Sequence, residues 1–292
     1  MEVGLYFDQL IAGVARGALL FLVASGLTLI LGVLHVLNFA HGALYLFGAY
    51  ISYVIASQLI HSTNGFWLAL LVAPLATAAL GVLIEVVFLR RIYHRPILQQ
   101  MFILFGVVYI LSDVIKLIWG LGYKSVSRPE IIASSVSILG RNIPVYSLFA
   151  ILLAALVALG LWFILHRTKF GRTVRAVYKD REMTAALGVN TSLLYTAVFG
   201  IGSFLAGLGG VILSGLGAFG PGMESDALIL AFVVVCVGGM GSVAGAVIGA
   251  LIIGIVESYG VLVLPSFSIA LIYIVMVVVL IFRPAGLLGR QS

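Results

Sequence analysis

Between Arg16 and Glu85 the chain carries no Asp, Glu, Lys or Arg. Soluble domains draw about a quarter of their residues from those four types. An uncharged run this long therefore excludes a water-soluble globular fold, and it has room for three membrane-spanning helices of about 20 residues each. The composition agrees, with 63% of the 292 residues apolar and 9% charged. The expected fold is all-α: a polytopic transmembrane helical bundle of about eight to ten membrane segments, interrupted or re-entrant half-helices included, with residues 1–292 as a single transmembrane domain.

The 16 Lys and Arg against 10 Asp and Glu sit in short connections between apolar runs. They report membrane orientation, and no nucleic-acid partner is expected. Cys236 is the single cysteine, which excludes an intrachain disulfide and a cysteine metal cluster. Two acids, Glu2 and Asp8, precede the first base, so the start lacks the basic region of a signal peptide and the first apolar run is expected to stay in the mature protein.

Apolar runs place helices over 19–34 with its upstream flank, 42–59, 66–89, 97–119, 145–165, 193–216 and 269–282. Residues 167–190 hold Arg167, Lys169, Arg172, Arg175, Lys179 and Arg181 against Asp180 and Glu182, which makes this loop cytoplasmic. Counting back places 124–142 outside, the cluster Arg90, Arg91, His94 and Arg95 inside, and the N-terminus outside. Counting forward places 217–226, with its two acids, outside. Residues 227–256 would then run about 45 Å as one helix, against a hydrocarbon core of about 30 Å. Gly238-Gly239-Met240-Gly241-Ser242 lies inside that run, where helix propensity is poor, so two short half-helices meeting at a glycine turn are expected. That reading also returns Arg283 and Arg290 to the cytoplasmic side.

Backbone inside a membrane leaves the helix only where it is buried in protein or lines a watered cavity. Asn38-Phe39-Ala40-His41-Gly42 and the Gly238–Ser242 segment are two such breaks, one in each half of the chain, as in many transporters. Close helix packing by small residues is the other reading of the same glycines. His35 and His41 invite a proton relay, and a hydrogen-bonded structural role competes with it. Asp113 and Lys116, three apart on one helix face, read as a satisfied ion pair. Glu257 either faces a cavity or reaches the inner interface, the second being preferred. No phosphate-cradling loop, paired-histidine metal helix or nucleophile elbow is present, so no catalytic or metal residues are expected. The segment Lys179 to Asn190 reads as a short helix with Asp180 at its start and Gly188 at its end. It suits docking into a partner protein, or lies against inner-leaflet lipid.

These residues together resemble the LivH-type permeases of bacterial branched-chain amino acid ABC importers. The likeness spans nearly the whole chain. It rests on Gly26-Leu27-Thr28-Leu29-Ile30-Leu31-Gly32-Val33, on Asn38 to Gly42, and on Gly171-Arg172-Thr173-Val174-Arg175-Ala176 with Asp180, Ala185 and Gly188-Val189-Asn190. Gly238 to Ser242 and the ending Phe282-Arg283-Pro284-x-Gly286-Leu287 complete it. The resemblance implies that 180–188 is a coupling helix docking on a cytoplasmic ATPase. It also implies a second, LivM-type permease, two cytoplasmic ATP-binding subunits and a periplasmic substrate-binding protein, in the bacterial inner membrane. ATP and Mg are implied on the ATPase subunits, with no cofactor on this chain. Arg16 departs from the family, which usually has small or polar residues there.

On this reading Asn38, His41, Gly42, Gly238, Gly239, Gly241 and Ser242 are expected along the translocation path, and Arg172, Arg175, Asp180, Glu182, Ala185 and Gly188 in ATPase coupling. The family also serves urea, short amides and small carboxylates, so the motifs do not fix the substrate. A stand-alone channel or ion-coupled carrier for a small solute such as urea or an amide is the alternative, and it leaves the basic loop unexplained. A membrane-embedded enzyme would need a convergent set of acid, base or metal ligands that the sequence lacks.

Overall fold

The computed structural model describes residues 2–60, 64–138 and 140–289. His61 to Thr63 of the second helix connection and Arg290 at the C-terminus lie outside the described residues.

Helix α1 (Glu2–Leu34) is the axis of the bundle. Its 33 residues span about 50 Å, against a hydrocarbon core of about 30 Å. Its first turns therefore stand clear of the apolar slab, where Asp8 pairs with Arg141 at 2.7 Å. Every residue from Gly17 to Leu34 is buried, so the uncharged sequence there answers to protein on all sides rather than to lipid.

Around it stand α2 (His41–Tyr53), which continues as a π-helical turn over Val54–Leu59, α3 (Gly65–Val87) and α4 (Ile97–Trp119). A one-turn helix α5 (Glu130–Ala133) and an antiparallel hairpin, β1 (Ser135–Ile138) with β2 (Arg141–Pro144), precede α6 (Val145–Arg167). The hairpin pairs Ser135 with Pro144 and Val136 with Ile143. Helices α7 (Lys169–Lys179) and α8 (Arg181–Ala186) fill the basic loop, and α9 (Thr191–Leu216), α10 (Met223–Gly238), α11 (Val243–Val263) and α12 (Ser268–Phe282) complete the chain. Among the described residues, seven helices are long and apolar enough to cross a membrane. Helices α2 and α10 are shorter and make nine membrane segments among the described residues, within the expected eight to ten.

The ends segregate by charge. Arg90, the 167–190 loop, the C-terminus of α1 and the start of α9 share one end, which ties Arg90 and Glu85 to Thr196 and His35 to Tyr178. We call it the basic end. The opposite end gathers Tyr50 with Trp119, Lys124 bridged to Phe219, and Tyr6 stacked on Tyr259.

One sequence expectation changes here. The 227–256 run does break at the glycines, but only α10 is short: α11 extends to Val263, a full span of 21 residues. Pro74, which could have divided the first uncharged stretch, lies inside α3 and does not interrupt it.

Lipid tails are as apolar as the helices, so association rests on close van der Waals contact, which small residues permit. A Cβ on Gly254 would strike the Gly13 carbonyl and the Gly17 backbone, joining α11 to α1. One on Gly48 would lie 2.6 Å from the Gly207 Cα, joining α2 to α9, and one on Gly32 would lie 2.6 Å from the Gly241 Cα. By contrast, Gly160 on α6 meets nothing within 4 Å. Gly254→Ala is therefore expected to cost about 1–3 kcal/mol through overpacking, read as a lowered unfolding temperature in detergent, while Gly160→Ala leaves that temperature unchanged or slightly raised.

Candidate functional site

The connection from α1 to α2 doubles back into the bundle. Helix α1 ends at Leu34, yet the His41 ring, one residue into α2, lies 2.9 Å through Nε2 from the Val23 carbonyl, which is 11 residues or about 16 Å back along α1. Residues 35–40 cover that return without regular structure, well within the reach of an extended chain. Helix α2 thus begins deep inside the protein. Gly42 touches the start of α10, because the Glu224 carbonyl occupies the place a Cβ would take.

This return strand carries polar groups that have no partner among the described residues: both amide atoms of Asn38, Nδ1 of His41 and, on the neighbouring α1, the Thr28 hydroxyl. Asn38 is 1% exposed. An unpaired buried polar group costs about 1–3 kcal/mol, so such a cluster asks for an explanation. Asn38 does hold the turn through its backbone, whose carbonyl accepts from the His41 N–H at 3.1 Å.

The sequence places Glu224 in an exterior turn, and the structure sets it instead in the first turn of α10. It is 7% exposed, accepting from the Ser112 hydroxyl at 2.8 Å and from the Gly222 N–H at 2.7 Å. The exterior turn ends at Gly222, whose φ of 102° suits glycine and aims the carboxylate inward.

The second break sits at the basic end rather than at mid-depth, since Gly241 lies against Gly32 near the end of α1. Gly238 packs on Gly245, and Gly239 on Gly289 of the C-terminal segment, whose Leu287 and Leu288 N–H groups donate to the Val237 and Gly238 carbonyls at 2.9 Å each. Ser242 caps α11 by accepting from the Gly245 N–H at 3.0 Å. Gly241 and Ser242 also border a cavity of about 590 Å³ near the basic end, walled by Thr28 and Gly32 of α1, Trp162 of α6, and Arg175 and Tyr178 of α7. Gly238 and Gly239 do not reach it.

The basic loop is more structured than its charge suggested. Thr168 caps α7, accepting from Gly171 at 3.2 Å, and Asp180 caps α8, accepting from Met183 at 2.9 Å. Gly188 follows with φ 84°, a left-handed helix end. Helix α7 was missed, although Phe170, Val174 and Val177 mark one face at helical spacing; Val174 and Val177 are buried against the bundle. Arg175 bonds the Leu165 carbonyl, while Arg172, Glu182 and Ala185 are exposed. Met183 is 60% and Leu187 77% exposed, an apolar pair outside the membrane segments.

A buried network ties this loop to the bundle, and spacing gave no sign of it. The Glu85 side chain, 0% exposed, accepts from Thr196 at 2.8 Å and Tyr93 at 3.1 Å and faces Arg90 at 3.4 Å. Burial first, and the Glu85 charge second, push the Tyr93 phenol above its ordinary range, so it stays a donor. The Tyr93 ring meets Tyr195 edge-on at 5.1 Å, and Arg181 of α8 lies 5.1 Å over that Tyr195 ring.

Glu257 does not reach the inner interface. It binds Arg16 through two hydrogen bonds, of 2.8 and 2.9 Å, 14 residues or about 21 Å along α11 from its basic end. The same pair gives Arg16 its partner. Asp113 and Lys116 form the expected pair at 3.0 Å. Among the described residues no three His, Cys, Asp or Glu side chains are grouped to hold a metal.

The family described as branched-chain amino acid transport system / permease component matches residues 9–282. The high-affinity branched-chain amino acid transport system permease protein BraD of Pseudomonas aeruginosa is 30% identical, over 100% of this chain and 98% of that protein. LivH of Escherichia coli strain K12 is 29% identical over 99% and 97%, and a probable LivH of Methanocaldococcus jannaschii is 27% identical over 93% and 89%. No solved structure matches the chain. A helical bundle matched from end to end by transport permeases belongs to the branched-chain amino acid transport permease family, whose members are membrane-embedded transporter subunits and not enzymes.

Proposed function

We propose that the chain is one permease subunit of an ATP-driven importer in a bacterial inner membrane. It would move branched-chain amino acids or related small polar solutes by alternating access, paired with a second, LivM-type permease. Two cytoplasmic ATP-binding subunits, holding ATP and Mg, and a periplasmic binding protein would complete the complex. The full-length likeness to BraD and LivH carries this reading. The capped helix α8 supports it, because an exposed Met183 and Leu187 beside Ala185 on a basic end suit a groove in a partner.

In this reading Asp180, Glu182, Ala185 and Gly188 form the docking element, with Arg172 and Arg175 flanking it. Asn38 and His41 offer polar groups to the solute on the path. Gly42, Gly238 and Gly239 are close-packed joints that let the broken helices shift. Gly241 and Ser242 border the exit, for which the cavity at the basic end provides room. The unpaired atoms of Asn38 and His41 support this assignment, since sites that bind transiently keep hydrogen-bonding capacity in reserve.

Gentle purification of the tagged chain from its native membrane is expected to bring down ATP-binding subunits and a second permease. Ala185→Glu, placed on an exposed helical position, should lose the ATPase subunits and abolish uptake while the chain stays inserted; full uptake by that variant would sink the docking assignment.

Asn38→Leu separates the path role from a structural one. Removing an unsatisfied buried amide in favour of an apolar side chain of similar size is expected to raise stability by about 1–3 kcal/mol, with a matching rise in unfolding temperature. Uptake by the assembled importer should fall sharply all the same. A variant that is more stable and transports normally would remove Asn38 from the path.

A further inference from the structure

His35 is the one residue other than glycine with a positive φ among the described residues, at 55°. It follows the last turn of α1, where its N–H donates to the Leu31 carbonyl at 3.1 Å. Glycine is the usual occupant of such a helix end, because a Cβ is disfavoured there. Histidine is among the residues that tolerate this conformation, and here its ring makes a defined contact. That ring is stacked on Tyr178, with centroids 5.8 Å apart and planes 18° from parallel.

Tyr178 belongs to the last turn of α7, two residues before the Asp180 cap that starts α8. No flexible linker separates the two helices, so a displacement of α8 is carried directly to the Tyr178 ring. On the other side of the stack, His35 begins the return strand that ends at Asn38 and His41 with their unpaired atoms. The ring has somewhere to go, since Tyr178 also borders the cavity that Thr28, Gly32 and Gly241 line.

We propose that the Tyr178–His35 stack is the mechanical link between the docking loop and the broken α1–α2 connection. Movement of α7 and α8 carries Tyr178, the stacked His35 follows, and the left-handed turn at His35 opens. The return strand then changes register against α1, which brings the Asn38 amide and His41 Nδ1 to new partners. Two discrete arrangements of one element, biased from both ends, are what coupling between distant sites requires. The link rests on the docking role proposed for residues 180–188. Tyr178 and His35 are positioning residues in it; Tyr178 also walls the cavity proposed as the exit, whereas His35 does not line it, so the His35 variant reads the link apart from the path.

The test uses the assembled importer, both permeases with ATPase subunits and binding protein, in proteoliposomes, and measures solute uptake per ATP hydrolysed. Tyr178→Ala is expected to lower that ratio about tenfold, within the range of coupling energies carried by such networks, while hydrolysis and subunit composition persist. Tyr178→Phe keeps the ring and should keep the ratio. His35→Gly retains the left-handed backbone but deletes the ring, and should reproduce the Tyr178→Ala loss. The double variant should be no worse than either single one, as expected of two residues acting through one contact. A wild-type ratio in Tyr178→Ala and His35→Gly, or losses that simply multiply, overturns the link alone. Retention of ATPase subunits by Ala185→Glu overturns the docking reading, and the link with it.

Discussion

Close packing of α1 is the constraint on which the rest of the bundle depends. In a membrane the apolar side chains gain nothing by leaving lipid for protein, so a helix buried on every side is held by shape and by the polar ties it makes. Helix α1 meets α11 through Gly13, Gly17 and Gly254, meets α9 where Gly26 faces Gly202, and meets the second break where Gly32 faces Gly241. Three different partners reach its backbone because it is glycine that lies at each crossing. The bulk of the helix between those points, Leu19 to Leu31, fills the core.

The depth of the first break follows from that burial. A helix surrounded along its whole inner length leaves the chain no lipid-facing surface on which to start the next span at its end, and the connection retraces its path within protein. Six residues outside regular structure are tolerated there, with Val36, Asn38 and Ala40 buried in protein rather than facing lipid. The consequence is that α2 and α10 both begin inside the bundle and touch at Gly42 and Glu224. Helix N-termini carry unpaired N–H groups and partial positive charge, and Glu224 answers part of that need by binding the Gly222 N–H next to its own helix start. At α2 the capping position is Ala40, which makes no side-chain cap, and the polar groups nearby are those without partners.

The sequence made the spans legible and left their depth obscure. Ile97–Trp119 has the boundaries read from hydropathy, and α9 starts within two residues of the expected place, because an apolar run bounded by charge or Pro96 has few alternatives. Asp180 and Gly188 were readable as helix ends because capping is local chemistry. Depth is not local. That His41 returns to Val23, that Glu224 turns inward, or that Glu257 meets Arg16 across 241 residues of chain depends on which helices become neighbours. Periodicity within one helix does not contain that information. Helix α7 is a different kind of miss: its apolar face was present at helical spacing, but the density of Lys and Arg drew the reading toward a loop.

The ties between helices are unevenly distributed along the bundle. At the opposite end α1 is held to its neighbours by the Arg16–Glu257 fork, by the Asp8–Arg141 pair, and by Ser258, which donates to the Gln9 carbonyl at 2.9 Å. A paired Arg and Glu inside a membrane protein are costly to separate, since each would be left a lone charge in a poor solvent for it. At the basic end, α1 has no ion pair among the described residues. Its last turn packs closely on Gly241 and is followed by the His35–Tyr178 stack. The charged ties of the central helix thus lie at the end opposite the basic loop, and at the basic end it is held by close packing and aromatic contact. In the proposed docking role a force on α8 would meet an aromatic stack and closely packed backbone, while the charged ties lie about 24 Å away by the rise of about 1.5 Å per residue between Arg16 and Gly32.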